Sequence, residues 1–193
     1  MPTARRLQKM ERVLRNRQLD LRVVCENIHD PHNVSAILRT CDAAGVGMVH
    51  LLYTHEEFPQ LGKKSSASAK KWIDIQRHRS FEELQQALHR DGITIYATHL
   101  GERAISIYDV DWTQPSAIIM GNEHRGVSDE ALAIADANVY IPQFGMIESL
   151  NVSVATAIIL YEAVRQRLQA NRYPNPNLDS EWIAAKLQEW IEK

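Results

Sequence analysis

Cysteine is scarce in this sequence: of 193 residues, only Cys25 and Cys41 carry thiols. Both sit in apolar surroundings, which suits reduced, buried thiols better than a disulfide framework or a nucleophile. No stretch reaches the ~18 uninterrupted apolar residues of a membrane span. The start, "MPTARRLQKMERVLRNRQ", is basic but lacks the apolar segment that follows the charges of a secretory signal. Together these absences lead us to expect a cytoplasmic protein with no membrane partner. Several catalytic signatures are missing too. There is no G-x-x-x-x-G-K-[ST] phosphate loop, no G-x-G-x-x-G dinucleotide turn and no G-x-S-x-G nucleophile elbow. His29 and His32 stand three apart, but no Cys or carboxylate pattern completes a zinc set, so they read as loop residues and no metal is expected.

Hydrophobic residues make up 45% of the chain, enough for a sizeable core in one domain with appendages. Net charge is only −2, but the basic residues are clustered. Residues 1–22 hold Arg5, Arg6, Lys9, Arg12, Arg15, Arg17 and Arg22 against Glu11 and Asp20. A second cluster, "GKKSSASAKK", holds Lys63, Lys64, Lys70 and Lys71. Such clusters read either as a docking face for a polyanion or as ordinary solvated helix faces.

Periodicity gives the elements. Residues 5–18 form an amphipathic helix with Leu7, Met10, Val13 and Leu14 on one face. Strands follow at "LRVVCEN", "MVHLLYT", "WIDIQRH", "ITIYATHL", "SAIIMG" and "VYIP". Helices lie between them. One is capped by Asn33 or Ser35 and ended by Gly45; another carries a Ser80/Glu83 capping box and stops at Gly92. "SDEALAIADA" is a third. Such alternation predicts an α/β fold, a parallel sheet with helices on both faces. "NRYPNPNL" (171–178) is a linker, and a final amphipathic helix carries Trp182, Ile183, Leu187, Trp190 and Ile191 on one side.

In open parallel sheets, ligands bind outside the carboxyl ends of the strands. Three strands here end in polar or glycine-rich turns: "ATHLGE", "IMGNEHRG" and "IPQFGMIES". They are expected to converge on one site. Gly121 would let the backbone approach a ligand, and Gly126 would take a positive φ. The segment from Asn151 onward is apolar almost all round, so it reads as a helix buried on more than one side. At its start, Glu148, Ser149 and Asn151 form a polar, ligand-binding mouth. In "NVSAILRT", Arg39 sits two turns into an apolar helix, where it either snorkels to the surface or meets an anion.

"PHNVSAILRTCDAAGVG", "IIMGNEHRGVS" and "IPQFGMIESLNVSVATAI" together resemble the three signature motifs of the SpoU-type (TrmH) RNA 2′-O-ribose methyltransferases of the SPOUT class. The similarity spans roughly residues 5 to 170. The basic start further resembles the tRNA guanosine-18 2′-O-methyltransferases within that family. The resemblance implies a C-terminal deep trefoil knot, a homodimer and S-adenosyl-L-methionine as methyl donor. It divides the chain into a basic helical extension (1–20), a SPOUT methyltransferase domain (21–170) and a linker with a C-terminal helix (171–193). It also implies cofactor contacts from Thr98, His99, Leu100, Met120, Gly121, Asn122, Glu123, Ile141, Ser149 and Leu150. Arg39, Asn33, Glu123, Ser149 and Asn151 match the family's functional positions. The tRNA would meet Arg5, Arg6, Arg12, Lys63, Lys64 and Arg125. Methylation of another tRNA or rRNA nucleotide, or non-catalytic RNA binding, are the alternatives.

Overall fold

The first helix, α1 (Ala4–Arg15), opens on Thr3, whose hydroxyl accepts from the Arg6 N–H, and buries Met10 and Leu14. The computed structural model describes residues 2–60, 69–147 and 149–193. From α1 the chain alternates as expected: β1 (Gln18–Glu26), α2 (Pro31–Ala44), β2 (Val46–Leu52), a 3₁₀ turn (Ala69–Lys71), β3 (Asp74–His78), α3 (Phe81–Arg90) and β4 (Thr94–Thr98). A two-residue strand, β5 (Ile105–Ser106), precedes β6 (Ser116–Met120), α4 (Asp129–Ile134), β7 (Ala137–Tyr140), α5 (Val152–Gln169) and α6 (Ser180–Ile191). β5 is too short to leave a periodic signal in the sequence.

All seven strands pair in parallel in the order β3-β2-β1-β6-β4-β7-β5. Helices α2 and α5 cover one face with a cluster that includes Val34, Ile37, Leu38, Ile159, Leu160 and Ala163. Helices α3 and α4 cover the other through Leu84, Leu88 and Ala131. β1 and β6 lie centrally and are buried along almost their whole length. That burial explains why both read as continuous apolar runs. A third cluster is separate: Met10 and Leu14 of α1 pack against Ile183 and Trp190 of α6, with Trp72 alongside.

Local signals mostly act where expected. Gly45 ends α2 at φ 80°. Ser80 caps α3 by accepting from the Glu83 N–H. The Glu83 carboxylate reaches back one residue further than a capping box requires, to the Arg79 N–H. One expectation fails. The cap of α2 is Asp30, with Pro31 at the first helical position. Asn33 is therefore freed from capping. Helix α5 is buried over a broad arc that includes Val152, Thr156, Ile159, Leu160 and Ala163, and it leaves a stripe of Val154, Tyr161 and Leu168 exposed at seven-residue intervals.

The basic N-terminal cluster also shrinks. Arg17 is fully buried: its guanidinium donates to the Val46 and Trp72 carbonyls and pairs with Asp42 at 2.6 Å. Arg22 is buried against Asp91 at 2.7 Å. Both hold the sheet together and offer nothing to a partner. The segment 171–178 is likewise pinned, with the Tyr173 hydroxyl donating to Ala44 O and the Asn175 amide to Arg17 O. No helix among the described residues is long and apolar enough to cross a membrane.

On β2, the His50 ring is fully buried, with Nδ1 3.0 Å from Nε2 of His78. Burial, then the neighbouring His78 and Arg22, push its pKa down to about 3, while Asp91 pulls the other way. Folding thus favours neutral His50. Its contribution is constant above the unfolded value of about 6.5 and turns unfavourable as pH falls below it. Between pH 7.5 and pH 5, this one group should remove on the order of 2 kcal/mol of stability. Urea unfolding at the two pH values checks this. His50→Gln should flatten the loss, and an equal loss in that variant would assign the acid sensitivity elsewhere.

Candidate functional site

Strands β6, β4 and β7 are neighbours and run parallel, so their carboxyl ends open at the same edge of the sheet. There they frame a cleft of about 590 Å³. Thr98, His99 and Leu100 line it from β4; Met120, Gly121, Asn122 and Glu123 from β6; Ile141 from β7; and Ser149 and Leu150 from the approach to α5. All ten residues assigned to the cofactor border this one space. Val127, Val139, Tyr140, Gln143, Val152, Ala155 and Ile159 also line it. Val127, Gln143, Val152 and Ala155 belong to the motif stretches, whereas Val139, Tyr140 and Ile159 lie outside them, and only placement beside the strand ends and α5 could have marked those three.

The turn after β6 is closed by its own backbone. The Asn122 N–H donates to Gly126 O at 3.0 Å, and the Gly126 N–H returns to Asn122 O at 2.8 Å. Gly126 takes φ 71°, as expected. The reason for Gly121 differs from the one expected. A Cβ there would lie 2.3 Å from the backbone of Gly126 and Val127, so glycine is needed to shut the turn on itself. The Asn122 side chain is used up in the same work: its oxygen accepts the His124 and Arg125 N–H groups, and its amide donates to Asn27 O. Asn122 thus shapes the cleft and has little left for a ligand.

Glu123 faces the start of α2. Its carboxylate accepts the N–H groups of His29 at 2.9 Å and Asp30 at 3.1 Å, and the Asn33 side-chain amide at 2.8 Å. Burial alone would raise its pKa, but these hydrogen bonds outweigh it and hold the carboxyl below its ordinary value. The Asn33 oxygen in turn accepts from the Asn151 amide at 3.1 Å. Asn151 caps α5, accepting from Ser153 and Val154 N–H. Glu123, Asn33 and Asn151 are thus joined in one polar chain from the β6 turn to the mouth of α5. Glu148 lies outside the described residues.

Arg39 is placed differently. It stands exposed on α2, outside the lining of the cleft, and its guanidinium has no ion-pair partner among the described residues. Arg125 borders the cleft and pairs with Glu56 at 2.9 Å. Arg5, Arg6 and Arg12 are carried by α1, far in sequence from the cleft lining. Lys63 and Lys64 lie outside the described residues. Burial pushes the Cys25 thiol up to about 12, and Cys41 also upward, so neither is a nucleophile near neutral pH. Among the described residues no group of three or more His, Cys, Asp or Glu side chains could hold a metal ion.

Comparison with known proteins decides the family. Residues 20–161 match the model of the SpoU rRNA Methylase family. The chain belongs to this family. The tRNA (guanosine(18)-2′-O)-methyltransferase of Thermus thermophilus is 47% identical over 191 residues, covering 99% of this chain and 98% of that protein. The crystal structure of the A. aeolicus TrmH/SpoU tRNA modifying enzyme superposes with a TM-score of 0.90 at 38% identity, over 97% of this chain and 95% of that one. The SpoU methyltransferase AviRb from Streptomyces viridochromogenes, solved in complex with AdoMet, gives a TM-score of 0.70 at 27% identity over 78% of this SpoU chain and 59% of that one.

Because Gly121 abuts the Gly126–Val127 backbone, Gly121→Ala should lower unfolding free energy by about 1–3 kcal/mol, the usual range for overpacking a tight site. It should also open the turn that carries Glu123. Denaturant titration checks the first effect. Wild-type stability in the variant would show that the turn has slack.

Proposed function

We propose that this chain transfers a methyl group from S-adenosyl-L-methionine to the ribose 2′-hydroxyl of guanosine-18 in tRNA. The observation that carries the reading is the convergence of three strand-end turns on one cleft, in a chain 47% identical along its length to a protein of that name. The donor fits the cleft in kind. A space of about 590 Å³ is of the size that small-molecule sites have. Met120, Ile141, Leu150 and Val152 offer an apolar slot, and the loops around them supply backbone polar groups. When bound, S-adenosylmethionine supplies a methyl group activated on a sulfonium.

The protein's part is positioning. Thr98 to Leu100, Met120, Gly121, Ile141, Ser149 and Leu150 would hold the donor, with Asn122 and Glu123 contributing backbone groups because their side chains are engaged. Glu123, fixed in its ionised form by three donors, keeps the β6 turn against α2. Asn33 and Asn151 carry that order to the start of α5. Arg39 cannot serve as a free base, since arginine holds its proton above pH ~12. It grips a substrate phosphate and orients the hydroxyl, or its charge stabilises the developing alkoxide. Arg5, Arg6 and Arg12, with Lys63, Lys64 and Arg125, hold the tRNA.

The protein works in this reading as a cytoplasmic homodimer. The exposed apolar residues Val154, Tyr161 and Leu168 on α5, with Phe144, Met146 and Ile147 on the preceding loop, support the dimer. The chain path supports the trefoil knot: it runs to the edge at β5, returns past β4 to β6, then places β7 between β4 and β5. The division into a basic extension (1–20), a methyltransferase domain (21–170) and a C-terminal segment (171–193) is supported by the separate α1–α6 cluster.

Two experiments test the reading. Calorimetry should show S-adenosylmethionine binding once per chain, and ribose-methylation mapping of a tRNA transcript should give one stop at guanosine-18. Absence of both binding and modification would overturn the proposal; modification elsewhere would overturn the assigned nucleotide. Arg39→Ala should cut turnover at least a hundredfold, the lower range for a lost charge stabiliser of the transition state, while donor binding survives. Recovery with Arg39→Lys would assign simple charge stabilisation, and failure to recover would assign two-point grip of a phosphate. Wild-type turnover in Arg39→Ala would remove the arginine from the mechanism.

A further inference from the structure

A second cavity of about 230 Å³ lies between α1, the end of α2, the segment after the 3₁₀ turn and the end of α6. It shares no lining residue with the strand-end cleft. Two indoles form its apolar wall. Trp72 and Trp190 meet edge to face, ring centres 5.0 Å apart and planes at 65°. Arg6 and Lys9 of α1 border it, and both are exposed. Asp42 is its one acid, and that carboxylate is engaged by Arg17 at 2.6 Å. Lys70 and Lys71, both exposed, adjoin Trp72 in the chain.

One detail does not belong to an ordinary hydrophobic contact. Trp190 is only 2% exposed, and its indole N–H is buried without a hydrogen-bond partner. An unsatisfied buried donor is costly, and native structures keep few of them. A second unsatisfied N–H, Nε of Arg17, lies near it, with the guanidinium carbon 5.6 Å from the centre of the Trp190 ring. The partly exposed Trp72 indole, the spare N–H of Trp190 in the cavity wall and a cationic rim of Arg6 and Lys9 suit a ligand that is planar, carries acceptors and is anionic at one end. A nucleotide unit of RNA has that chemistry. A peptide partner would need apolar side chains and acids in place of a stacked plane.

We propose that this pocket is a subsite for one unpaired nucleotide of the RNA substrate, remote from the reacting ribose. The base enters beside Trp72 and turns an acceptor toward the Trp190 N–H. Its phosphate lies between Arg6 and Lys9. The site rests on the reading of the protein as a tRNA-binding enzyme and adds to it a second point of grip. It also gives α6 a role in binding, because the helix holds Trp190 against α1 and so builds one wall of the pocket.

The full-length chain and an unmodified tRNA transcript suffice to test this. Three variants are compared with wild type: Arg6→Ala/Lys9→Ala, which removes exposed charges; Trp72→Leu, which removes a stacking face; and Trp190→Phe, which keeps the ring and removes the N–H. S-adenosylmethionine calorimetry accompanies each and should stay close to wild type; melting curves should do so for the double variant, while the two tryptophan variants lose some stability because they thin the α1–α6 cluster. The double variant should weaken tRNA binding and reduce the log–log salt slope by about 0.7 to 0.9, the share of one phosphate contact. Trp72→Leu should weaken binding about tenfold with little change in slope, as loss of a base stack does. Trp190→Phe should weaken it several-fold. Titration of wild type with tRNA should quench indole fluorescence, and Trp72→Leu should lose most of that quench. Unchanged tRNA affinity in both tryptophan variants would overturn the subsite, whatever the double variant does, and leave the proposed activity standing. Failure of wild type to bind tRNA at all would overturn both, and is distinguished by that result alone. Loss of affinity equal in all three and matched by a lowered melting point would show that the pocket is only packing.

Discussion

The arrangement of the strand-end cleft depends on where one carboxylate sits. Glu123 leaves the β6 turn and takes two backbone N–H groups from the start of α2 and one amide from Asn33. A carboxylate at a helix start meets both free N–H groups and a favourable dipole. The result is a fixed joint between the sheet edge and α2. Asn33 extends the joint to Asn151, and Asn151 is the cap of α5. Three segments from distant parts of the chain are thereby held in register by side chains that keep their positions only together. Removing any one would leave another with an unpaired polar group, which is costly in a half-buried site.

A second constraint acts at the far end of the sheet. Arg17 and Arg167 are both fully buried, yet each is surrounded by oxygen partners. Arg167 donates to the Trp112 and Gln114 carbonyls, to Gln18 and to Asp20. Arg17 donates to the Val46 and Trp72 carbonyls and to Asp42, with only its Nε left over. The planar fork of arginine suits this role because it can reach several carbonyls at once. These two side chains bind the ends of α1 and α5 to the sheet. They carry the stability of the appendages and take no direct part in the cleft.

How far the sequence could be read follows from which signals are local. Alternation of strand and helix, the Gly45 stop, the Ser80 cap and the gathering of three polar turns were legible because each depends on neighbours in the chain. The same residues gave the cleft lining. The errors came where a distant partner decides. Asn33 looks like a helix cap, but Asp30 caps, and Asn33 is held by Glu123 from the turn after the neighbouring strand β6. Arg17 and Arg22 look like surface charge in a basic run, but Asp42 and Asp91 draw them inward. Gly121 looks like room for a ligand, but it makes room for its own turn. The apolar circumference of α5 suggests burial on more than one side, but it cannot say which stripe is left outward, and Val154, Tyr161 and Leu168 are that stripe. No local pattern reports strand order either. That β7 lies between β4 and β5 follows from pairing across the sheet.

The contrast among the arginines gives the last step. Arg17, Arg22 and Arg167 are buried and matched, and their charges are neutralised where they stand. Arg125, at the cleft, shares Glu56 with His29. Arg39 has no such acid among the described residues, although it lies on the same helix as Asn33, two turns further on. A surface guanidinium without a partner loses little by itself, because water solvates it. Its value lies in being unmatched. A phosphate arriving there need not displace a carboxylate first, so the full charge is available to the substrate. On this view the helix that carries Asn33 into the polar chain also presents Arg39 at a fixed distance from it. In the proposed activity, the ordering of the cleft by Glu123 and the grip of Arg39 on RNA are two ends of one rigid element.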